Sequence, residues 1–169
     1  MKSGVSIVKD NLKKVMVALN SFPDKDVLVG IPADTTARKN DIGGAVPVSE
    51  MTNAQLGYIH EFGAPEHNIP ARPFLYPGLR GVKTHIAAYF KQYGLAAMKG
   101  SKEGMDRALH SMGILGMNAV RRKITVGPFV PLKASTLAAR RRRGRTGTRP
   151  LIDTGQLRAA ITYVIRSKK

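Results

Sequence analysis

Two long helical periodicities, one running from Tyr76 or Pro77 to about Lys99 and the other from Lys102 to about Ile124, constrain this chain more than any other feature. Val82, Ile86, Phe90 and Tyr93 or Ala97 give the first its apolar stripe. Met105, Leu109, Met112, Leu115 or Gly116, Ala119 and Val120 give the second. Spacings of three and four place each set on one face of a helix. Pro77 suits a first helical turn, where its missing N–H costs nothing. Only Gly100-Ser101 separates the two segments, so an antiparallel helical pair joined by a short turn is expected. The methionines at 105, 112 and 117 could line an adaptable binding surface, but core packing is the simpler expectation.

Around this pair, two segments read as strands. Val27, Val29 and Ile31 alternate in Asp26–Ile31, which Pro32 stops. Near the other end, Ile161 to Ile165 is alternating and β-branched. Pairing of these two would bring distant parts of the chain into one sheet. The expected fold is therefore α+β, a small antiparallel sheet packed against long helices. At 169 residues, one domain is expected over 1–169. An amphipathic helix is expected over Ser3–Asn20, with Val5, Val8, Leu12, Val15, Met16 and Leu19 on its core face. A projecting loop or β-hairpin arm that orders against a neighbour is expected over Ala33–Glu50, and a basic loop over 140–150.

The densest local chemistry lies in Thr52–Leu75. Thr52 and Gln55 form a capping box at the start of a short helix. Leu56, Ile59 and Phe62 would form its buried face, and Gly63 fits a terminal position that needs positive φ. After the loop Ala64–Asn68, two prolines bracket an arginine in Ile69-Pro70-Ala71-Arg72-Pro73-Phe74-Leu75. Fixed φ at both prolines keeps this piece extended. That geometry would present Arg72 outward, while Phe74 and Leu75 enter the core. Beyond the turn Gly127–Pro131, Leu132–Arg142 reads as a short helix. In Leu151–Leu157, Asp153 or Thr154 is placed to cap one more helical turn.

The charge narrows the partners. A formal net charge of +17 attracts nucleic acid, anionic membrane or acidic protein. The densest run is Arg140, Arg141, Arg142, Arg143 and Arg145, with Arg149 close behind. It would act on phosphates with strong salt dependence and little sequence preference. No aromatic residue interleaves with it, which disfavours a base-stacking platform. DNA, an acidic protein and solvent all stay open as what it faces. No apolar run approaches the roughly 18 residues that span a bilayer, and MKSGVSIVKDNLKK lacks a signal-peptide block, so a soluble protein without membrane contact is expected.

The sequence shows no catalytic constellation. There is no cysteine, which removes disulfides and thiolate metal sites. GxSxG, Walker and GxGxxG patterns are absent. His60 and His67 flank Glu61 and Glu66 and invite a metal reading, but Gly63 puts His67 in a loop, off the helical face. A half-buried His60 and a solvated His67 are expected instead, with no metal and no cofactor.

Tyr58-Ile59-His60-Glu61-Phe62-Gly63, followed by Ile69–Leu75, resembles the central signature of tailed-bacteriophage neck and tail-completion proteins, of the Mu-like virion morphogenesis and lambdoid tail-component type. Pro131-Leu132 with Ser135-Thr136-Leu137, and Leu151-Ile152-Asp153-Thr154-Gly155-Gln156-Leu157 followed by Ile161, fit in the same order. Together they span about Ala54 to Ile161. Ala33–Glu50 does not align with the pattern. The resemblance implies a non-enzymatic virion protein, assembled in the host bacterial cytoplasm. It would form a homo-oligomeric ring, usually of six, at the head–tail junction, as a neck, tail-completion or tail-terminator subunit around the DNA channel. Adjacent head-closure, connector or tail-tube proteins would be its partners, with non-specific contact to genomic DNA. Glu61, Phe62, Arg72, Phe74, Asp153, Thr154 and Leu157 are the candidate assembly or clamp residues, Arg72 by pairing with a carboxylate. Arg140, Arg141, Arg142, Arg143, Arg145 and Arg149 would face the DNA-filled lumen or an acidic neighbour. The rival reading is a basic nucleic-acid-binding module acting as a monomer or small oligomer. A virion nuclease or peptidase stands third.

Overall fold

The structure is a computed structural model that describes Met16, residues 25–33 and residues 51–167. Except for Met16 and Ala33, the expected helix Ser3–Asn20 and the segment Ala33–Glu50 lie outside the described residues. The fold is α+β, as expected. Strand β1 (Lys25–Gly30) pairs antiparallel with β2 (Thr162–Ser167), in a register that sets Lys25 opposite Ser167 and Gly30 opposite Thr162. Between them come α1 (Asn53–Phe62), a 3-10 turn (Pro65–His67), α2 (Leu75–Arg80), α3 (Lys83–Met98), α4 (Lys102–Val126), α5 (Ala134–Arg142) and α6 (Gln156–Ala159).

Helix α4 is the spine. Its 25 residues make about 37 Å of helix at 1.5 Å per residue. α3 runs back along its first half, after a turn in which Gly100 adopts φ +68° and the Ser101 hydroxyl accepts from Gly104 N–H at 3.1 Å. The sheet and α2 both reach α4 through its small residues. The Tyr163 ring lies directly over Gly113, and Gly116 meets Val29 and Leu79. Any larger side chain at Gly113 would occupy the space of the tyrosine ring. The core forms two groups, one around Phe74, Val120, Ile124, Leu151, Leu157 and Ile161, the other around Tyr93, Ala108, Leu109 and Met112. Met112 is buried, and Met105 and Met117 pack against these groups, so the methionine stripe is core.

The first long helix is not continuous. It divides at Gly81-Val82 into α2 and α3. The break lets α2 tilt so that Gly78 packs on the backbone of Val120, where a Cβ would come 2.9 Å from Val120 Cα. Phe90, expected in the stripe, is exposed, while Tyr93 and Ala97 carry the contact. Phe62 is also exposed rather than buried, and stacks on Tyr58 with ring centroids 4.8 Å apart.

Where the sheet meets the start of α4, Lys25 Nζ donates to Asp106 Oδ1 at 2.8 Å. This hydrogen bond raises the Lys25 pKa and lowers that of Asp106. Both side chains are solvated, so the pair fixes orientation more than it stabilises.

Candidate functional site

Three segments far apart in sequence close around one cleft. α1 and the extended piece Ile69–Arg72 form one wall, α5 the second, and the loop Leu151–Leu157 the third. The cleft holds about 330 Å³.

The first wall is tied down by Glu61. Thr52 starts α1 with the expected capping box: its hydroxyl accepts from Gln55 N–H at 3.2 Å, and the Gln55 side-chain oxygen accepts from Thr52 N–H at 2.8 Å. Near the other end, the Glu61 carboxylate accepts from Phe74 N–H at 2.7 Å, Leu75 N–H at 2.8 Å and Tyr76 N–H at 3.1 Å. These are the free donors at the start of α2, and the negative charge suits the positive end of the helix. Glu61 is therefore an intramolecular clamp between α1 and α2. Changing Glu61 to alanine is expected to cost about 1.5–3 kcal/mol, the range for hydrogen bonds to a charged group. Glu61→Gln, which keeps an acceptor but loses the charge, should fall between. Thermal or urea unfolding measures both, and a loss below about 0.5 kcal/mol for the alanine would remove the clamp role.

Arg72 corrects the sequence reading. Its side chain is buried, 6% exposed, and points inward. Nε donates to Val130 O at 2.9 Å and Nη2 to Pro131 O at 3.2 Å. The partners are carbonyls of the turn before α5, not a carboxylate. Burial lowers the Arg72 pKa from its ordinary value, yet a guanidinium remains charged. The outward geometry fails because Arg72 N–H bonds His60 O at 2.7 Å, and Ala64 and Ile69 form a bridge that folds the extended piece back on α1.

The arginine run also divides. Arg140 is buried, 8% exposed, and its Nη1 reaches three carbonyls: Gly147 and Arg149 at 2.9 Å and Ile152 at 3.0 Å. Its Nε lies 3.3 Å from Asp153 Oδ1, while Arg145 Nη1 meets Asp153 Oδ2 at 2.6 Å. Arg149 Nη1 donates to Thr125 O at 2.7 Å. Arg140, Arg145 and Arg149 thus hold the loop 143–153 in shape, and do not form part of a free cationic face. Arg141, Arg142 and Arg143 are exposed, as is Arg149, whose guanidinium is tied to Thr125 O.

The remaining candidates sort by burial. Phe74 and Leu157 are core side chains, Leu157 at the base of the cleft. Asp153 is spent on the two arginines and does not cap α6. Thr154 Oγ1 sits 3.5 Å from Gln156 N–H, at the limit of a hydrogen bond, and Gly155 in a left-handed conformation begins the helix instead. Of the named assembly residues, only Phe62 and Thr154 present a solvated side chain that is not already engaged in a strong intramolecular contact. Sequence reading passed over Tyr58, which is 68% exposed beside Phe62. Its place on α1, two residues past Leu56, was the available signal.

His60 is half-buried and His67 exposed, as expected. Among the described residues no group of three His, Asp or Glu side chains is placed to hold a metal, and no helix is long and apolar enough to cross a membrane. No protein-family model, curated protein or solved structure matches the chain.

Proposed function

We propose that this chain is a structural virion protein, a ring-forming subunit of the phage head–tail junction that joins or completes the tail around the DNA channel. One observation carries the reading. The segments that bear the phage-neck resemblance, Tyr58–Gly63, Ile69–Leu75, Pro131–Leu137 and Leu151–Leu157, are not scattered motifs but the walls of a single cleft. They are fastened by Glu61, Arg72 and the Arg140–Asp153 pair. Each of these charged groups is used to fix backbone, which is the construction of a rigid assembly block. The exposed Tyr58 and Phe62 give that block an apolar surface to bury.

The second reading, a nucleic-acid-binding module, draws on the exposed Arg141, Arg142 and Arg143. One pair of measurements separates the two. Light scattering or negative-stain imaging of the purified chain should show a closed ring with a central hole. DNA titrations at two salt concentrations should show only weak binding that fades with salt. Tight DNA binding by a chain that stays monomeric would favour the module and overturn the ring.

A further inference from the structure

We propose that copies of this chain associate head to tail, the Tyr58–Phe62 face of α1 in one copy docking at the basic cleft of the next. The inference rests on the ring reading and names the two surfaces that meet.

The first surface is unpartnered and apolar. Tyr58 and Phe62 are both about two-thirds exposed, and Met51 and the edge of Ile59 extend the patch. Aromatic side chains this exposed and paired are typical of residues that become buried on association.

Charge selects the occupant. Two molecules carrying +17 repel. From residue 51 to residue 71, however, the chain has no lysine or arginine and two carboxylates, Glu61, which is held at the start of α2, and the exposed Glu66. The aromatic face belongs to this one long stretch where the sign inverts. The cleft has the complementary character. Leu56, Pro70 and Leu132 supply an apolar floor, Lys133 and Arg143 stand at its basic wall, and its acid, Asp153, is already held by Arg140 and Arg145. The cleft contains no phenylalanine or tyrosine, the side chains that most often build a base-stacking platform. An aromatic anchor from a stretch without lysine or arginine fits it better.

The geometry permits both contacts at once. Helical residues turn by about 100° each. Leu56 and His60, which line the cleft, lie roughly 200° around α1 from Tyr58 and Phe62. Each copy can therefore offer one face while receiving on the other. Two different surfaces make a heterologous contact, which closes into a ring when the rotation between copies permits.

The test uses two full-length variants. Tyr58→Asp with Phe62→Asp removes the anchor and keeps the cleft; Lys133→Glu with Arg143→Glu does the reverse. All four positions are exposed, and circular dichroism checks that the fold survives. Should the aspartates unfold the chain, Tyr58→Ser with Phe62→Ser reads the same contact. In sedimentation, wild type should assemble, and each variant should shift its association midpoint up roughly tenfold or more, about 1.4 kcal/mol per tenfold. An equal mixture should form one-to-one dimers, because one intact pair of surfaces remains. A cleft variant that self-associates with the wild-type midpoint, or a mixture that stays monomeric while wild type forms rings, overturns the head-to-tail contact and leaves the ring reading standing. A wild type that is monomeric at every concentration overturns both.

Discussion

Replacing Arg140 with alanine should destabilise the fold by about 3–5 kcal/mol, since each hydrogen bond to a charged group contributes about 1.5–3 kcal/mol. The guanidinium is the hub of the loop that leads into β2. Nη1 carries two hydrogens and faces the carbonyls of Gly147, Arg149 and Ile152, so the three share them. With alanine these carbonyls lose their shared donor, and each one left unsatisfied costs about 1–3 kcal/mol. Asp153 would keep only Arg145. Next door, Leu151 holds a positive φ of +63° while its side chain sits in the core. A non-glycine residue there costs about 1–2 kcal/mol, a strain tolerated only while its surroundings enforce it. Loss of Arg140 should therefore melt the Leu151 turn first. A fall in melting temperature of roughly 10 °C is expected for a chain of this size, with new protease cleavage between residues 143 and 155. Arg140→Lys should recover only part of this, because an ammonium group cannot span carbonyls and carboxylate together. Arg141→Ala should stay within about 0.5 kcal/mol of wild type, as exposed surface changes do. Equal effects at 140 and 141 would show that the run is a uniform cationic face after all.

That contrast also marks how far the sequence could be read. Elements set by local periodicity were legible: the β1–β2 pairing, the antiparallel α3–α4 pair, the Thr52–Gln55 capping box and the glycine end of α1. What escaped was set by reach across the fold. Arg72 bonds carbonyls 58 and 59 positions away, and no local pattern records where those carbonyls come to rest. Arg140 follows Leu137 by three and so shares its inward face, a signal hidden when five arginines are counted as one charge. The apolar spacing continued across Gly81-Val82, which concealed the break between α2 and α3. Phe62 was misplaced for a simpler reason. Six residues past Leu56, it lies about 240° around the helix, on the side away from the core. Its exposure leaves an aromatic pair on α1, the surface proposed to be buried on assembly.

Gly63→Ala should be as damaging as the loss of Arg140, through strain rather than charge. Gly63 has φ +81° and ψ 173°, a region essentially reserved for glycine, where other residues cost about 1–3 kcal/mol. A Cβ there would also come 2.9 Å from Ala71 N and 3.1 Å from Ile69 O. Both are backbone atoms, so no rotamer change relieves the clash. A total loss of about 3 kcal/mol or more is expected. Gly144 separates the two causes. It too has positive φ, +73°, but nothing lies within 4 Å of the position its Cβ would take. Gly144→Ala should therefore show a backbone penalty alone, about 1–2 kcal/mol. Urea unfolding of both variants gives the difference, and a Gly63→Ala loss no larger than that at Gly144 would remove the close approach from the account. The consequence reaches the proposed assembly as well. Moving residues 69–71 away from Gly63 would carry Arg72 off the Val130 and Pro131 carbonyls and open the wall of the cleft. Gly63→Ala should thus weaken self-association even under conditions where the chain stays folded, and Gly144→Ala should not.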